Sequence, residues 1–257
     1  MANAPILRGQ GGRNPKPVDE IDLDSFLGGA TPGNQDSDSD VSEGENEPTP
    51  PRRQTLAPPT SDRLVVVGIL LDDSGSMKDG NIYKSAIDGI HVGVEAFRGA
   101  RGSDFYLIVE GFNQLYFEGL IGEVTKDSFN AYVPNHGCTP LVGTAISLVK
   151  KMQQVAEGYA AMGISASTAM LLITDGLPDD QPADFRAYVE KVGYVVGMGC
   201  ALRINSDRLD EGAVRAYHAC FTGMGIKTIV TPGAEPPEIR HEINQFSRSV
   251  AAIAGNA

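Results

Sequence analysis

The stretch L-V-V-V-G-I-L-L-D-D-S-G-S-M, from Leu64 to Met77, decides the fold of this chain. Its first eight residues form an unbroken apolar run rich in valine and leucine, which predicts a strand buried on both faces of a parallel sheet. The run stops at Asp72, and Asp72, Ser74 and Ser76 then follow at alternate positions. Open α/β sheets bind ligands in the crevice beyond the carboxyl ends of their strands. The pattern D-x-S-x-S therefore predicts a ligand site at the end of this strand.

Two other segments add oxygen-bearing side chains in similar positions. The letters G-C-T-P-L at 137–141 precede a helical pattern, and T-D-G at 174–176 follows a second apolar strand. On its own, D-x-S-x-S is equally typical of a hydrogen-bonded turn without a metal, because Asp, Ser and Gly are common turn residues. The three segments together favour a cation site with hard oxygen ligands, which suits Mg²⁺, with Mn²⁺ or Ca²⁺ as alternatives. The predicted ligand set is Asp72, Ser74, Ser76, Thr139 and Asp175.

The order of these three segments resembles that of von Willebrand factor A (vWA) domains with a metal-ion-dependent adhesion site. The resemblance covers about residues 62–255. It implies that Ser74, Ser76 and Thr139 are the inner ligands, while Asp72 and Asp175 anchor them, often through water. One departure is Cys138, where a second glycine is common in the family, and it changes no ligand.

The hydrophobic periodicity along the chain predicts the rest of the architecture. Strands are predicted at 64–71, 105–112, 114–118, 169–174, 194–198 and 228–231, and helices at 81–98, 126–131, 141–160, 183–192, 207–221 and 236–254. Strands that alternate with helices at this spacing predict a doubly wound α/β domain with helices on both faces of a mostly parallel sheet. The very short gap between the second and third strands predicts one antiparallel edge strand.

Composition divides the chain into two parts. Residues 1–60 contain 9 of the 16 prolines and a single aromatic residue, so they cannot bury enough apolar surface to offset the entropy of ordering. We therefore expect a disordered, acidic, proline-rich tail over residues 1–60 and one vWA domain over residues 61–257. The net charge of −12 is shared between both parts, −5 in the tail and −7 in the domain.

The charge and the cysteines limit the partners and the compartment. An acidic chain without a basic run is a poor ligand for nucleic acid or for an anionic membrane surface. No apolar run reaches the roughly 18 residues that span a bilayer, and no signal sequence is recognised at the start. The three cysteines, Cys138, Cys200 and Cys220, lack metal-type spacing, which agrees with a reducing compartment. The predicted location is the cytoplasm.

The chemistry of the ligand set indicates a binding function. Neutral serine and threonine ligands leave a cation electrophilic, so an open coordination position attracts a carboxylate from another molecule. Helix amino termini around the same crevice favour such an anion further. We therefore expect a non-enzymatic, intracellular adaptor or scaffold that binds an Asp or Glu of a partner protein through Mg²⁺. This expectation agrees with what the vWA resemblance implies.

Other functions are compatible with parts of the sequence. The domain resembles bacterial vWA proteins linked to tellurium resistance, which accompany a kinase and a phosphatase in a stress-response or signalling system. A partner of an AAA+ ATPase in complex assembly is a second alternative, and a secreted adhesin is another. A Mg²⁺-dependent phosphotransferase is the enzymatic alternative, since Asp72 ends the first strand, but such chemistry normally needs an aspartate at position 74, where this chain has serine.

Overall fold

The computed structural model describes residues 59–135, 137–176, 179, 182–192, 198–203, 211–224, 226, 228–230, 232 and 235–256. All of these belong to one compact unit, Gln54–Ala257. The predicted tail lies outside the described residues except for Pro59 and Thr60. The Thr60 hydroxyl donates to Asp104 Oδ1 at 3.0 Å, so this residue is in contact with the domain.

Six strands form one sheet in the order β3-β2-β1-β4-β5-β6. The strands are β1 Arg63–Leu71, β2 Asp104–Glu110, β3 Leu115–Leu120, β4 Ser165–Thr174, β5 Met198–Arg203 and β6 Thr228–Val230. β3 runs antiparallel to β2, and every other neighbouring pair is parallel. This arrangement confirms the predicted mostly parallel sheet with one antiparallel edge strand.

Helices cover both faces of the sheet. They are α1 Ile82–Gly99, α2 Leu141–Ala161, α3 Pro182–Val192, α4 Glu211–Gly223 and α5 Pro236–Asn256, and two short 3₁₀ segments lie at Gly75–Asn81 and Ile121–Glu123. One core lies between the sheet and α1 with α5, and the other between the sheet and α2, α3 and α4. None of the described helices is both long and apolar enough to cross a membrane.

The central strand β1 shows why the first apolar run is so long. Its side chains alternate between the two cores: Val65 and Val67 face α1 and α5, whereas Leu64 and Val66 face α2. Both faces of the strand are therefore buried, and no position requires a polar residue. At Gly68 helix α2 approaches the strand so closely that a Cβ atom there would lie 2.4 Å from Met152 Sδ.

One predicted element is wrong, and another is only partly described. The segment predicted as a helix at 126–131 forms successive turns, in which Asn130 N–H donates to the Asp127 carbonyl at 3.1 Å. The Ser128 hydroxyl accepts from Thr125 N–H at 2.8 Å, and side-chain bonds of this kind compete with helix formation. The fifth strand is observed at Met198–Arg203, which shares Met198 with the predicted range 194–198, and residues 194–197 of that range lie outside the described residues. Its position is set by pairing with β4, where Arg203 lies opposite Thr174.

Smaller differences concern the ends of elements. β2 stops at Glu110 rather than at residue 112, because Gly111 N–H donates to the Gln114 carbonyl at 2.8 Å and turns the chain into β3. β4 begins at Ser165, four residues before its predicted start, where it pairs with Arg63. α4 begins at Glu211, and residues 207–210 of its predicted range lie outside the described residues.

Candidate metal centre

The candidate site lies at the carboxyl ends of the two central strands. Asp72 follows β1 directly and Asp175 follows β4 directly, and these strands are parallel neighbours. The Asp72 N–H donates to the Ile173 carbonyl at 2.9 Å, so the pairing continues up to the site. Both carboxylates are buried, with residue exposures of 0% for Asp72 and 5% for Asp175. The fold therefore brings together two acidic residues that are about a hundred positions apart.

The hydroxyls and carboxylates of the site form one hydrogen-bonded chain. Ser76 Oγ donates to Asp175 Oδ1 at 2.8 Å, and Ser74 Oγ lies 3.0 Å from Ser76 Oγ. Because Ser76 uses its proton on Asp175, the Ser74 hydroxyl is the donor in the second contact. Asp72 Oδ1 accepts from Ser74 N–H at 2.8 Å, which closes the turn of the D-x-S-x-S segment. Four of the five predicted ligands are thus linked to one another.

Thr139, the fifth predicted ligand, is placed beside the others by the loop after β4. Its Oγ1 would lie 3.6 Å from a Cβ atom at Gly176, the residue that follows Asp175. Thr139 N–H donates to Asp179 Oδ2 at 2.6 Å, and Asp179 N–H donates back to the Thr139 carbonyl at 3.0 Å. This reciprocal pair joins the threonine segment to the segment that carries Asp175.

Sequence reasoning missed the role of Asp179. For the carboxylates at 179 and 180 the sequence favours a simple polar turn leading into the next helix, with an increase of the negative potential beside the site as the alternative. Residue 180 lies outside the described residues. Asp179 in fact holds the backbone of Thr139, because its carboxylate accepts from Thr139 N–H and its own N–H donates to the Thr139 carbonyl. A carboxylate four residues beyond the T-D-G aspartate is the only sequence signal, and it does not identify a partner forty positions away.

Thr174 is a second residue whose role sequence reasoning missed. It is fully buried, and its hydroxyl donates to Asp72 Oδ2 at 2.5 Å. The same oxygen accepts from Gly176 N–H at 3.1 Å. Thr174 therefore ties the Asp72 carboxylate to the loop that carries Asp175.

Burial determines the protonation behaviour of the site. Removal from water raises the pKa of the Asp72 carboxyl above its ordinary value, and it raises the pKa of Asp175 to about 6. Among the ion pairs of the described residues, none includes Asp72 or Asp175. Two buried carboxylates without a cationic partner are unfavourable when both are charged, so a bound cation would stabilise the charged forms.

The donor set fits a hard cation. Among the described residues, no group of three or more His, Cys, Asp and Glu side chains is arranged to hold a metal ion. The converging oxygens are instead two carboxylates with hydroxyls, which suit Mg²⁺ and exclude the sulfur and imidazole sites typical of zinc. Helix α2 begins at Leu141, two residues after Thr139, and its amino terminus adds partial positive charge on this side of the site.

Comparison with known proteins identifies the fold. No protein-family model and no curated protein matches the sequence. Among solved structures, the von Willebrand factor type A from Catenulispora acidiphila is similar, with a TM-score of 0.51 and 14% identity over 73% of this chain and 42% of that chain. The PilB minor pilin from Streptococcus sanguinis is similar with a TM-score of 0.52 and 12% identity, over 77% of this chain and 64% of that chain.

A third similar structure is the pilus adhesin SpaC from Lactobacillus rhamnosus GG, with a TM-score of 0.51 and 10% identity over 75% of this chain and 31% of that chain. The chain thus spans less than two thirds of the length of each of these proteins. At such low identities the likeness concerns the arrangement of strands and helices, which agrees with the sheet order and the helices on both faces. The chain therefore has the von Willebrand factor A fold.

Proposed function

We propose that this domain is a metal-dependent protein-binding module, which uses Mg²⁺ at Asp72, Ser74, Ser76, Thr139 and Asp175 to bind an acidic side chain of a partner protein. Domains of this fold generally mediate protein–protein interaction. The observation that carries the proposal is the hydrogen-bonded chain from Ser74 through Ser76 to Asp175, which joins the ends of two central strands.

The residues of the site have separate tasks in this proposal. The two serine hydroxyls and the Thr139 hydroxyl hold the cation as neutral donors, and the buried carboxylates of Asp72 and Asp175 orient these donors. When bound, Mg²⁺ supplies the net positive charge that attracts a carboxylate of the partner. Residues 72–76 form the serine loop of the site. Ser76 is half-buried and Gly75 is exposed, so the site is accessible on the side of this loop. Mn²⁺ or Ca²⁺ would use the same oxygens.

The proposal treats the domain as a binding protein without catalytic activity. The phosphotransferase alternative needs a nucleophilic carboxylate that reaches its substrate, whereas Asp72 is fully buried and its oxygens accept from Ser74 N–H and Thr174. Phosphatase assays with generic phosphate esters and Mg²⁺ test this point. Turnover that disappears in Asp72→Asn would contradict the binding proposal.

We extend the proposal to the cellular compartment of the protein and to the system that supplies its partner. We place the protein in the cytoplasm because its three cysteines, Cys138, Cys200 and Cys220, lack metal-type spacing, a pattern that suits a reducing compartment. The similar pilus proteins make secretion the alternative, and cell fractionation distinguishes the two. A kinase and phosphatase system, or an AAA+ ATPase, would supply the partner, and the neighbouring genes would indicate which.

Titration calorimetry with MgCl₂ tests the metal site. Asp175→Asn keeps the size of the side chain and removes its charge, so Mg²⁺ binding should be lost. Asp127→Asn is the matched control, because Asp127 is an exposed carboxylate outside the predicted ligand set, and its Oδ1 accepts from Asn130 Nδ2 at 2.8 Å. The proposal is wrong if wild type and Asp175→Asn bind Mg²⁺ equally.

Affinity capture with the wild-type domain tests the partner. Capture should require Mg²⁺, should be abolished by chelator, and should fail with Asp175→Asn but not with Asp127→Asn. Substitution of a single Asp or Glu of the captured protein by Ala should abolish its binding. A partner that binds equally well in chelator and with Asp175→Asn would show that recognition does not use this site.

A further inference from the structure

Asp73 lies between two predicted ligands, and its own contacts point away from them. The residue is buried, with 6% exposure. Its Oδ2 accepts from the Tyr116 hydroxyl on β3 at 2.9 Å, and its Oδ1 accepts from Phe112 N–H in the β2–β3 turn at 3.3 Å. The carboxylate of Asp73 thus attaches the serine loop to the antiparallel edge hairpin.

The backbone around Asp73 is attached to a different segment. The Asp73 carbonyl accepts from Asn135 N–H at 2.8 Å, and the Asp72 carbonyl accepts from the Tyr132 hydroxyl. Tyr132 is 3% exposed, and Asn135 lies only four residues before Thr139. The stretch from Tyr132 to Asn135 therefore docks on the serine loop immediately before it reaches the threonine of the candidate site.

The two tyrosines also contact each other. The rings of Tyr116 and Tyr132 meet edge to face, with centroids 5.2 Å apart and planes at 90°. Burial raises the pKa of both phenols above the ordinary value, so both hydroxyls remain protonated donors at neutral pH. The space around Asp73 is closed as well, since a Cβ atom at Gly111 would lie 2.5 Å from Asp73 Oδ2.

We infer that Asp73, Tyr116 and Tyr132 form a positioning unit, which holds the serine loop in register with the segment leading to Thr139 and so organises the candidate site before a cation binds. This inference rests on the proposed metal site and extends it to residues that touch neither metal nor partner. Its basis is that the two tyrosine hydroxyls and the Asn135 N–H donate to two consecutive residues of the serine loop. Outer residues of this kind typically change metal affinity by about 10–100-fold when they are substituted.

Conservative substitutions test the unit because they remove one hydroxyl and keep the ring. Calorimetry should show that Tyr116→Phe and Tyr132→Phe bind Mg²⁺ roughly tenfold or more weakly than wild type. Tyr106→Phe is the matched control: its hydroxyl also donates to a carboxylate, Glu118 Oε1 at 3.3 Å, but neither residue contacts the site loops through this bond. Equal affinity in all four proteins, or an equal loss in Tyr106→Phe, would overturn the inference.

Amide hydrogen exchange without metal gives a second, independent readout. The Asn135 amide bonds directly to the Asp73 carbonyl, so its exchange should accelerate about tenfold in Tyr132→Phe, as expected for the loss of one hydrogen bond, and remain unchanged in Tyr106→Phe. If the wild type fails to bind Mg²⁺, the proposed function falls while the exchange experiment still decides the positioning role. Unchanged exchange at Asn135 in both Tyr116→Phe and Tyr132→Phe would then refute it.

Discussion

Replacement of Thr174 by valine probes how firmly Asp72 is held. The two side chains have nearly the same shape, so Thr174→Val removes the hydroxyl from a fully buried position without opening a cavity. The hydroxyl donates to Asp72 Oδ2 at 2.5 Å and accepts from Gly176 N–H at 3.1 Å. The variant therefore deprives one buried carboxylate oxygen of its donor and one backbone N–H of its acceptor.

The expected loss of stability follows from these two bonds. A hydrogen bond to a charged group contributes about 1.5–3 kcal/mol, and a neutral one about 0.5–1.5 kcal/mol. Together they give an expected decrease of about 2–4 kcal/mol in the free energy of unfolding. For a domain of this size, each kcal/mol lowers the melting temperature by roughly 2–4 °C. Mg²⁺ affinity should fall as well, because Asp72 loses the contact that fixes its orientation.

Urea unfolding in chelator, followed by circular dichroism, measures the loss. The matched control is Thr144→Val in α2, where the hydroxyl donates to the neutral Pro140 carbonyl at 2.9 Å rather than to a carboxylate. The control should lose only about 0.5–1.5 kcal/mol. If both variants lose the same stability, the bond to Asp72 carries no special weight and the reasoning is refuted.

Three other predictions concern the core and the charge of the site. Lys151→Met should lower the free energy of unfolding by about 3 kcal/mol, because Glu110 is buried, accepts from Lys151 Nζ at 2.9 Å and has no partner for its second oxygen among the described residues. In urea unfolding, the added substitution Glu110→Gln should recover most of this loss. A double variant in which the two effects simply add would contradict the prediction. Gly68→Ala should lower the free energy of unfolding by about 1–3 kcal/mol, because the added methyl group overpacks against Met152. A smaller loss in a Met152→Val background would confirm this contact, whereas an equal loss would exclude it. In the metal-free protein, the pKa of Asp175 is raised from 3.8 to about 6 in the folded state. Between these two pH values the folded state keeps a proton that the unfolded chain has released. The stability that the protonated carboxyl contributes is therefore lost as pH rises through about 6. Unfolding curves at pH 5 and 7.5 should show this loss in wild type and not in Asp175→Asn, and parallel pH dependences would argue against it.

Local patterns were sufficient for most of the fold. The apolar run before Asp72 predicts a strand buried on both faces, and the structure places it at the centre of the sheet between β2 and β4. The short gap after β2 predicts the antiparallel edge strand that is observed. These predictions succeed because hydrophobic periodicity and loop length act over a few residues. The prediction at 126–131 fails for the same local reason, since Thr125 and Ser128 bond the backbone there.

The candidate site divides in a similar way. Sequence alone selects Asp72, Ser74, Ser76, Thr139 and Asp175, because parallel strands end at one edge of the sheet and each segment follows or precedes a regular element. Their role as metal ligands stays a prediction, while the structure shows how four of them are linked and where Thr139 lies.

Only the tertiary structure decided which residues support that site. The bonds from Tyr116 to Asp73 and from Tyr132 to the Asp72 carbonyl join residues 43 and 60 positions apart, and no local pattern marks such partners. The same holds for β5, whose limits depend on its register with β4. The physical reason is that burial of apolar side chains leaves a periodic trace in sequence, whereas a hydrogen bond between distant segments depends on the relative placement of whole strands and leaves none.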